Sequence, residues 1–106
     1  MLQDEIIKSL QRYVSILRAN GLDIQRAFLY GSFARNEQGT DSDIDVMLVS
    51  DQFNDFDINT KAKAWLYKKE VDWRIEPFTI GANRFYSDNE SALVDAVKRE
   101  GIEIAI

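Results

Sequence analysis

Residues 29–49 decide the fold: Leu29-Tyr30-Gly31-Ser32-Phe33-Ala34-Arg35, a short polar spacer, then Ser42-Asp43-Ile44-Asp45-Val46-Met47-Leu48-Val49. An apolar strand runs into a Gly-Ser turn. Two aspartates, two positions apart, then open a second apolar strand. Alternate side chains of a strand share a face, so Asp43 and Asp45 point the same way with Cα atoms about 6–7 Å apart. Ile44, Val46 and Leu48 point the other way, into a core. Paired carboxylates at an exposed strand start can share Mg²⁺, which prefers carboxylate, water and phosphate oxygens.

The Gly31-Ser32 turn suits the other half of such a site. Glycine permits a sharp turn and a close approach of an oxygen-rich ligand to the main chain. Residues 33–36 read as a short helical turn; if it opens a helix, free N–H groups there favour an anion. The Ser32 hydroxyl adds a donor. Arg35 either holds a phosphate oxygen or pairs with a nearby aspartate. The chain has neither the Lys-containing Gly-rich loop of P-loop enzymes nor the three-glycine dinucleotide fingerprint. Phosphate bound here uses a different device.

A third carboxylate would complete a two-metal site. In Glu70-Val71-Asp72-Trp73-Arg74-Ile75-Glu76 the alternation places Val71, Trp73 and Ile75 on one face and Asp72, Arg74 and Glu76 on the other. A strand here, beside the one that starts at Asp43, brings Asp72 to the metal ions. Asp72 is then the third ligand, or the base for an attacking hydroxyl. Glu76 is a weaker candidate, about 7 Å further along the strand. Arg74 and Glu76 read as a surface ion pair, and Asp41 as a solvated loop residue.

Outside these stretches the pattern is that of a single small domain over residues 1–106. Leu2, Ile6, Leu10, Val14 and Leu17 predict an amphipathic helix over about 2–19, stopped by Asn20-Gly21. Strands are expected over 24–30, 43–50, 70–79 and 102–106. Helices are expected over 58–69, with Ala62, Trp65 and Leu66 inward, and over 82–100 with a break near Ser87-Asp88. Trp65 and Trp73 are assigned to the core. Phe53 and Phe56, in a polar loop, either anchor it or meet another chain. The fold class is α/β (α+β), a small mixed β-sheet with helices packed on one face and an open cleft on the other.

Composition narrows the chemistry. With 18 acidic against 13 basic residues and a net charge of −5, the chain does not read as a general nucleic-acid binder. It contains no cysteine and no histidine, which removes zinc–thiolate sites, thiol nucleophiles, disulfides and histidine bases. No stretch approaches a membrane span, and the acidic N-terminus is unlike a signal peptide, so a cytoplasmic protein is expected. The apolar C-terminal strand could pair across a homo-oligomer edge.

Together, Gly31-Ser32, Arg35 and Ser42-Asp43-Ile44-Asp45 resemble the signature of the nucleotidyltransferase superfamily related to DNA polymerase beta. The GSxAR start with SDID after it looks like the minimal nucleotidyltransferases of prokaryotes, over nearly the whole chain. The resemblance makes Gly31 and Ser32 the phosphate-contacting turn, with Arg35 beside it. It makes Asp43, Asp45 and Asp72 the catalytic, metal-binding carboxylates. It implies transfer of a nucleoside monophosphate from ATP or another nucleoside triphosphate to an acceptor hydroxyl, with Mg²⁺ (two ions) or Mn²⁺. Some minimal members pair as antitoxins with a HEPN-domain toxin and adenylylate one of its tyrosines. A non-catalytic module that neutralises a partner by contact is the alternative. In one departure, Asn36 stands where Arg35 is usually followed by glycine. Asparagine tolerates the left-handed backbone that such a turn needs.

Overall fold

The computed structural model describes residues 2–55, 57–87 and 91–106. The first helix, α1 (Leu2–Ala19), turns Ile6, Leu10, Tyr13, Val14 and Leu17 inward, as its spacing predicts. Asp4 and Glu5 in its first turn and Arg18 in its last complement the helix dipole. It ends in a Schellman motif. The Leu22 N–H donates to Leu17 C=O and the Gly21 N–H to Arg18 C=O. Gly21 occupies positive φ (92°) there, at little steric cost.

Four strands follow: β1 (Arg26–Tyr30), β2 (Ile44–Ser50), β3 (Ile75–Gly81) and the two-residue β4 (Ile102–Glu103). They form one sheet in the order β3-β2-β1-β4. β1 lies antiparallel to β2 and to β4, while β2 and β3 run parallel. The parallel pair requires a crossover, which α2 (Ile58–Tyr67) and a 3₁₀ turn (Lys68–Glu70) supply. Asp57 caps α2 by accepting the Asn59 N–H. Two short helices, α3 (Ala82–Ser87) and α4 (Ala92–Glu100), lie between β3 and β4.

The pleat sorts the apolar residues into two layers. Ala27, Leu29, Ile44, Val46, Leu48 and Ile75 join α1 and Ala64 of α2 in the larger core. Phe28, Met47, Val49 and Ile80 face the opposite side, against Ala82 and Phe85 of α3 and Val94 and Val97 of α4. Helices therefore cover both faces of this sheet, and not one. At the open end of the second face, where β1 ends and β2 and β3 begin, Tyr30 and Asp45 are half-buried and Glu76 is exposed.

Several local expectations change. Residues 33–36 form the short hydrogen-bonded turn expected there, and it does not open a helix. The strand expected from Glu70 begins only at Ile75, because residues 68–70 wind as 3₁₀ and 71–74 turn. Trp73 is consequently exposed on that turn. Trp65 and Leu66 are exposed too, because α2 approaches the core through Ala64, whose carbonyl accepts the buried Tyr13 hydroxyl. Ala64, with Tyr67 partly buried one turn on, forms the inner face of the helix. Phe53 is buried and anchors its loop, while Phe56 lies outside the described residues. The helical stretch breaks between α3 and α4. Ser91 caps the second part by accepting the Val94 N–H, and Asp88 lies outside the described residues.

Candidate active site

The open end of the second sheet face is built by strand register. Tyr30, the last residue of β1, sits opposite Asp45 of β2, and Asp45 sits opposite Glu76 of β3. All three belong to the face that also carries Met47, Phe78 and Ile80. Neighbouring strands lie about 4.8 Å apart, so Tyr30, Asp45 and Glu76 form a row across the sheet. Asp43 stands just before β2, exposed, at the mouth of the row.

Electrostatics mark the row as unusual. The half-buried Asp45 carboxyl is pushed above its ordinary range, first by desolvation, then by the negative charges of Glu76 and Asp43, and is only partly relieved by Arg35. The Tyr30 phenol is pushed up to about 12 by burial and by the charges of Asp45 and Glu76. That keeps Tyr30 protonated near neutral pH, so it is no general base there. Carboxylates crowded in this way favour a bound cation.

Gly31 closes the site from above. Its φ is 76°, in the region that favours glycine, and a Cβ there would run into the Asp45 carboxylate. The turn after it is held by Ala34 and Arg35 N–H groups donating to the Gly31 carbonyl and by the Glu37 N–H donating to Ser32 C=O. Asn36 adopts φ 59°, the left-handed conformation its side chain tolerates. Arg35 pairs with Glu37 at 3.1 Å, near enough to Asp45 to act on its charge. A small cavity of about 130 Å³ lies beside the turn, lined by Tyr30, Gly31, Ala34, Arg35 and residues of α4.

Asp72 goes elsewhere. It lies in the turn before β3, so the alternation expected to put it on one face with Glu76 does not exist. Its carboxylate accepts from the Arg74 N–H at 2.9 Å and from the Arg74 guanidinium at 3.1 and 2.8 Å. These contacts hold Asp72 below the usual carboxylate range despite some desolvation. The charges acting on Asp45 come from Glu76, Asp43 and Arg35. Arg74 is therefore the partner of Asp72, and not of Glu76 as its spacing suggested. The Asp72–Arg74 clasp fixes the turn from which the Arg74 carbonyl accepts the Ile44 N–H, and so sets the register that delivers Glu76.

Among the described residues no three His, Cys, Asp or Glu side chains stand close enough to cage an ion alone. Mg²⁺ usually retains waters and takes one or two carboxylates plus substrate phosphates. Asp45 with one carboxylate neighbour, Asp43 or Glu76, fits that mode, with waters and substrate phosphates as the remaining ligands.

The family model described as "Nucleotidyltransferase domain" matches residues 7–103. No protein of curated function matches the chain in sequence. Among solved structures, the chain is similar to a "putative nucleotidyltransferase" from Sulfolobus solfataricus, with a TM-score of 0.64 at 15% identity. That likeness covers 95% of this chain and 80% of the other, and it speaks for the shared fold. Among the described residues no helix is long and apolar enough to cross a membrane.

Proposed function

Starting from the premise that this chain belongs to the nucleotidyltransferase domain family, we propose that it moves a nucleoside monophosphate, AMP from ATP, to an acceptor hydroxyl with Mg²⁺. The observation that carries the reading is the Tyr30–Asp45–Glu76 row beneath the Gly31 turn. Asp43, Asp45 and Glu76 would hold the divalent cation; Glu76 takes the place that spacing had given to Asp72. When bound, the cation supplies charge neutralisation of the triphosphate and a lower pKa for the acceptor hydroxyl.

The chain's own residues do the rest. Gly31, lacking a Cβ, leaves room for the Asp45 carboxylate to pack against the main chain, and Ser32 would add donors to the phosphates. Arg35 sits where it can meet the outgoing phosphates. The acceptor oxygen forms a bond to the α-phosphorus as the bond to the bridging oxygen breaks. Pyrophosphate leaves with that electron pair, and the acceptor's proton passes to a carboxylate of the set. Positioning and charge compensation account for most of the rate gain.

The acceptor we propose is a tyrosine on a partner protein, a HEPN-type toxin for which this chain would be the antitoxin. The test is mass spectrometry of the purified partner after incubation with ATP and Mg²⁺. A gain of one adenylate that needs Asp45 supports the reading; an unmodified partner under conditions of full binding contradicts it. A second reading, neutralisation by contact alone, draws on the exposed apolar stripe of α2. It expects a tight complex with no added mass.

A further inference from the structure

The residues that α2 turns away from the core form a surface of their own. Ile58, Ala62, Trp65 and Leu66 fall at i, i+4, i+7 and i+8, one stripe of a helix. Ile58, Trp65 and Leu66 are 67%, 46% and 58% exposed, and Trp73, on the turn after the helix, is 75% exposed. A shallow groove of about 700 Å³ runs along the stripe, its edges formed by Lys63, Lys68 and Lys69. Lys68 Nζ lies 4.5 Å from the centre of the Trp65 ring and donates to the Trp73 backbone carbonyl at 3.2 Å, which links this edge of the groove to the turn that carries Trp73.

The charge of this surface opposes that of the chain. Residues 58–69 contain four lysines and no carboxylate, in a protein of net charge −5. We propose that the α2 groove docks an amphipathic helix of a partner protein, with apolar residues on the seam and carboxylates flanking it. Helical spacing of the stripe matches helix-on-helix packing at an 8–10 Å separation. The lysine edges select an acidic partner through complementary potential. A second copy of this chain is disfavoured, because two-fold pairing of the groove sets lysines against lysines. A nucleic acid is disfavoured because most of the stripe is aliphatic (Ile58, Ala62, Leu66), Lys68 already lies over the Trp65 ring, and the chain carries a net charge of −5. The groove lies on the α1/α2 side of the sheet, away from the carboxylate row, so docking does not depend on the nucleotidyl-transfer reading.

Trp65 lines the groove and Trp73 is exposed on the adjoining turn, so tryptophan fluorescence reports occupancy through Trp65. The probe is a 20-residue helical peptide with leucine on the seam and glutamate beside it. Controls are its lysine-flanked counterpart, its scrambled sequence and a 20-nucleotide oligothymidylate. The expected result is a blue shift with the glutamate peptide, with affinity that falls as salt rises. Binding should weaken at least tenfold with Leu66→Asp and with Lys63→Glu plus Lys69→Glu. The double variant should gain affinity for the lysine peptide. Asp45→Asn should bind unchanged, so that loss of catalysis and loss of docking are separable. Equal binding of the glutamate, lysine and scrambled peptides overturns the proposal. So does tighter binding of the oligothymidylate, or a dimer in sedimentation that Leu66→Asp dissociates. The substituted side chains are exposed, and circular dichroism of each variant should match that of the parent.

Discussion

Asp45 and Asp72 are two aspartates at the start of the same parallel strand pair, and their surroundings are opposite. Asp72 is clasped by Arg74 through a side-chain pair and a backbone N–H, and its carboxyl is held low. Asp45 has Glu76 across the ladder and Asp43 two residues before it, and its carboxyl is held high. A satisfied carboxylate stabilises a turn. A frustrated one, kept beside like charges, stores a demand for a cation. The difference identifies the site better than the count of aspartates does, because strained ionisation states concentrate where chemistry is done.

The largest expected effect separates these two residues. Asp45→Asn should lower nucleotidyl transfer by about 10³-fold, whereas Asp72→Asn should leave it within about threefold. Rates measured with saturating ATP and Mg²⁺ check this; matching losses would erase the distinction. Glu76→Gln should cost about 10²-fold. It should also bring the Asp45 carboxyl back toward its ordinary range, which carboxyl NMR titration reads.

Gly31→Ala comes next. The left-handed backbone costs a non-glycine residue about 1–2 kcal/mol. Its new methyl group also displaces the Asp45 carboxylate, so stability and activity should fall together. Asn36→Gly should do neither, since its backbone already suits glycine. Paired melting curves and rates for the two variants test this.

Smallest are the effects on stability against pH, and they should have opposite signs. The depressed Asp72 carboxyl contributes stability that is present above its unfolded pKa and is lost as pH falls through the still lower folded value. Asp72→Asn should thus cost about 1 kcal/mol at pH 7, with the difference vanishing as pH falls through the depressed folded value. The raised Asp45 carboxyl works the other way. Its charge destabilises the metal-free protein at neutral pH and is relieved as pH falls through the folded pKa. Asp45→Asn should therefore raise Tm by about 1–3 °C without metal and abolish any further rise on adding Mg²⁺ with ATP. Denaturation at several pH values resolves both.

Much of this was legible in the residues. The apolar spacing of α1, the Asn20-Gly21 stop and the β2 alternation all appear where periodicity puts them, because each buries a continuous stripe. The Gly31 turn and Asp45 come together because an antiparallel partner strand must return along β1. The third carboxylate was misplaced for a local reason. Residues 70–76 alternate like a strand, yet Asp72 finds its strongest partner two residues away and folds the backbone into a turn. Glu76 was readable only with the register of β2 against β3, which no single segment encodes. The helix phase of α2 failed similarly: its most apolar stripe faces outward, because Tyr13 requires a close approach at Ala64.

The most direct measurement is calorimetric titration of ATP, with and without Mg²⁺, into the parent protein, Glu76→Gln and Asp72→Asn. The expected result is Mg²⁺-dependent binding by the parent and Asp72→Asn and its loss in Glu76→Gln. Retained binding by Glu76→Gln with loss in Asp72→Asn, or equal binding by all three without Mg²⁺, would contradict the assignment of Asp43, Asp45 and Glu76 as the metal-holding set.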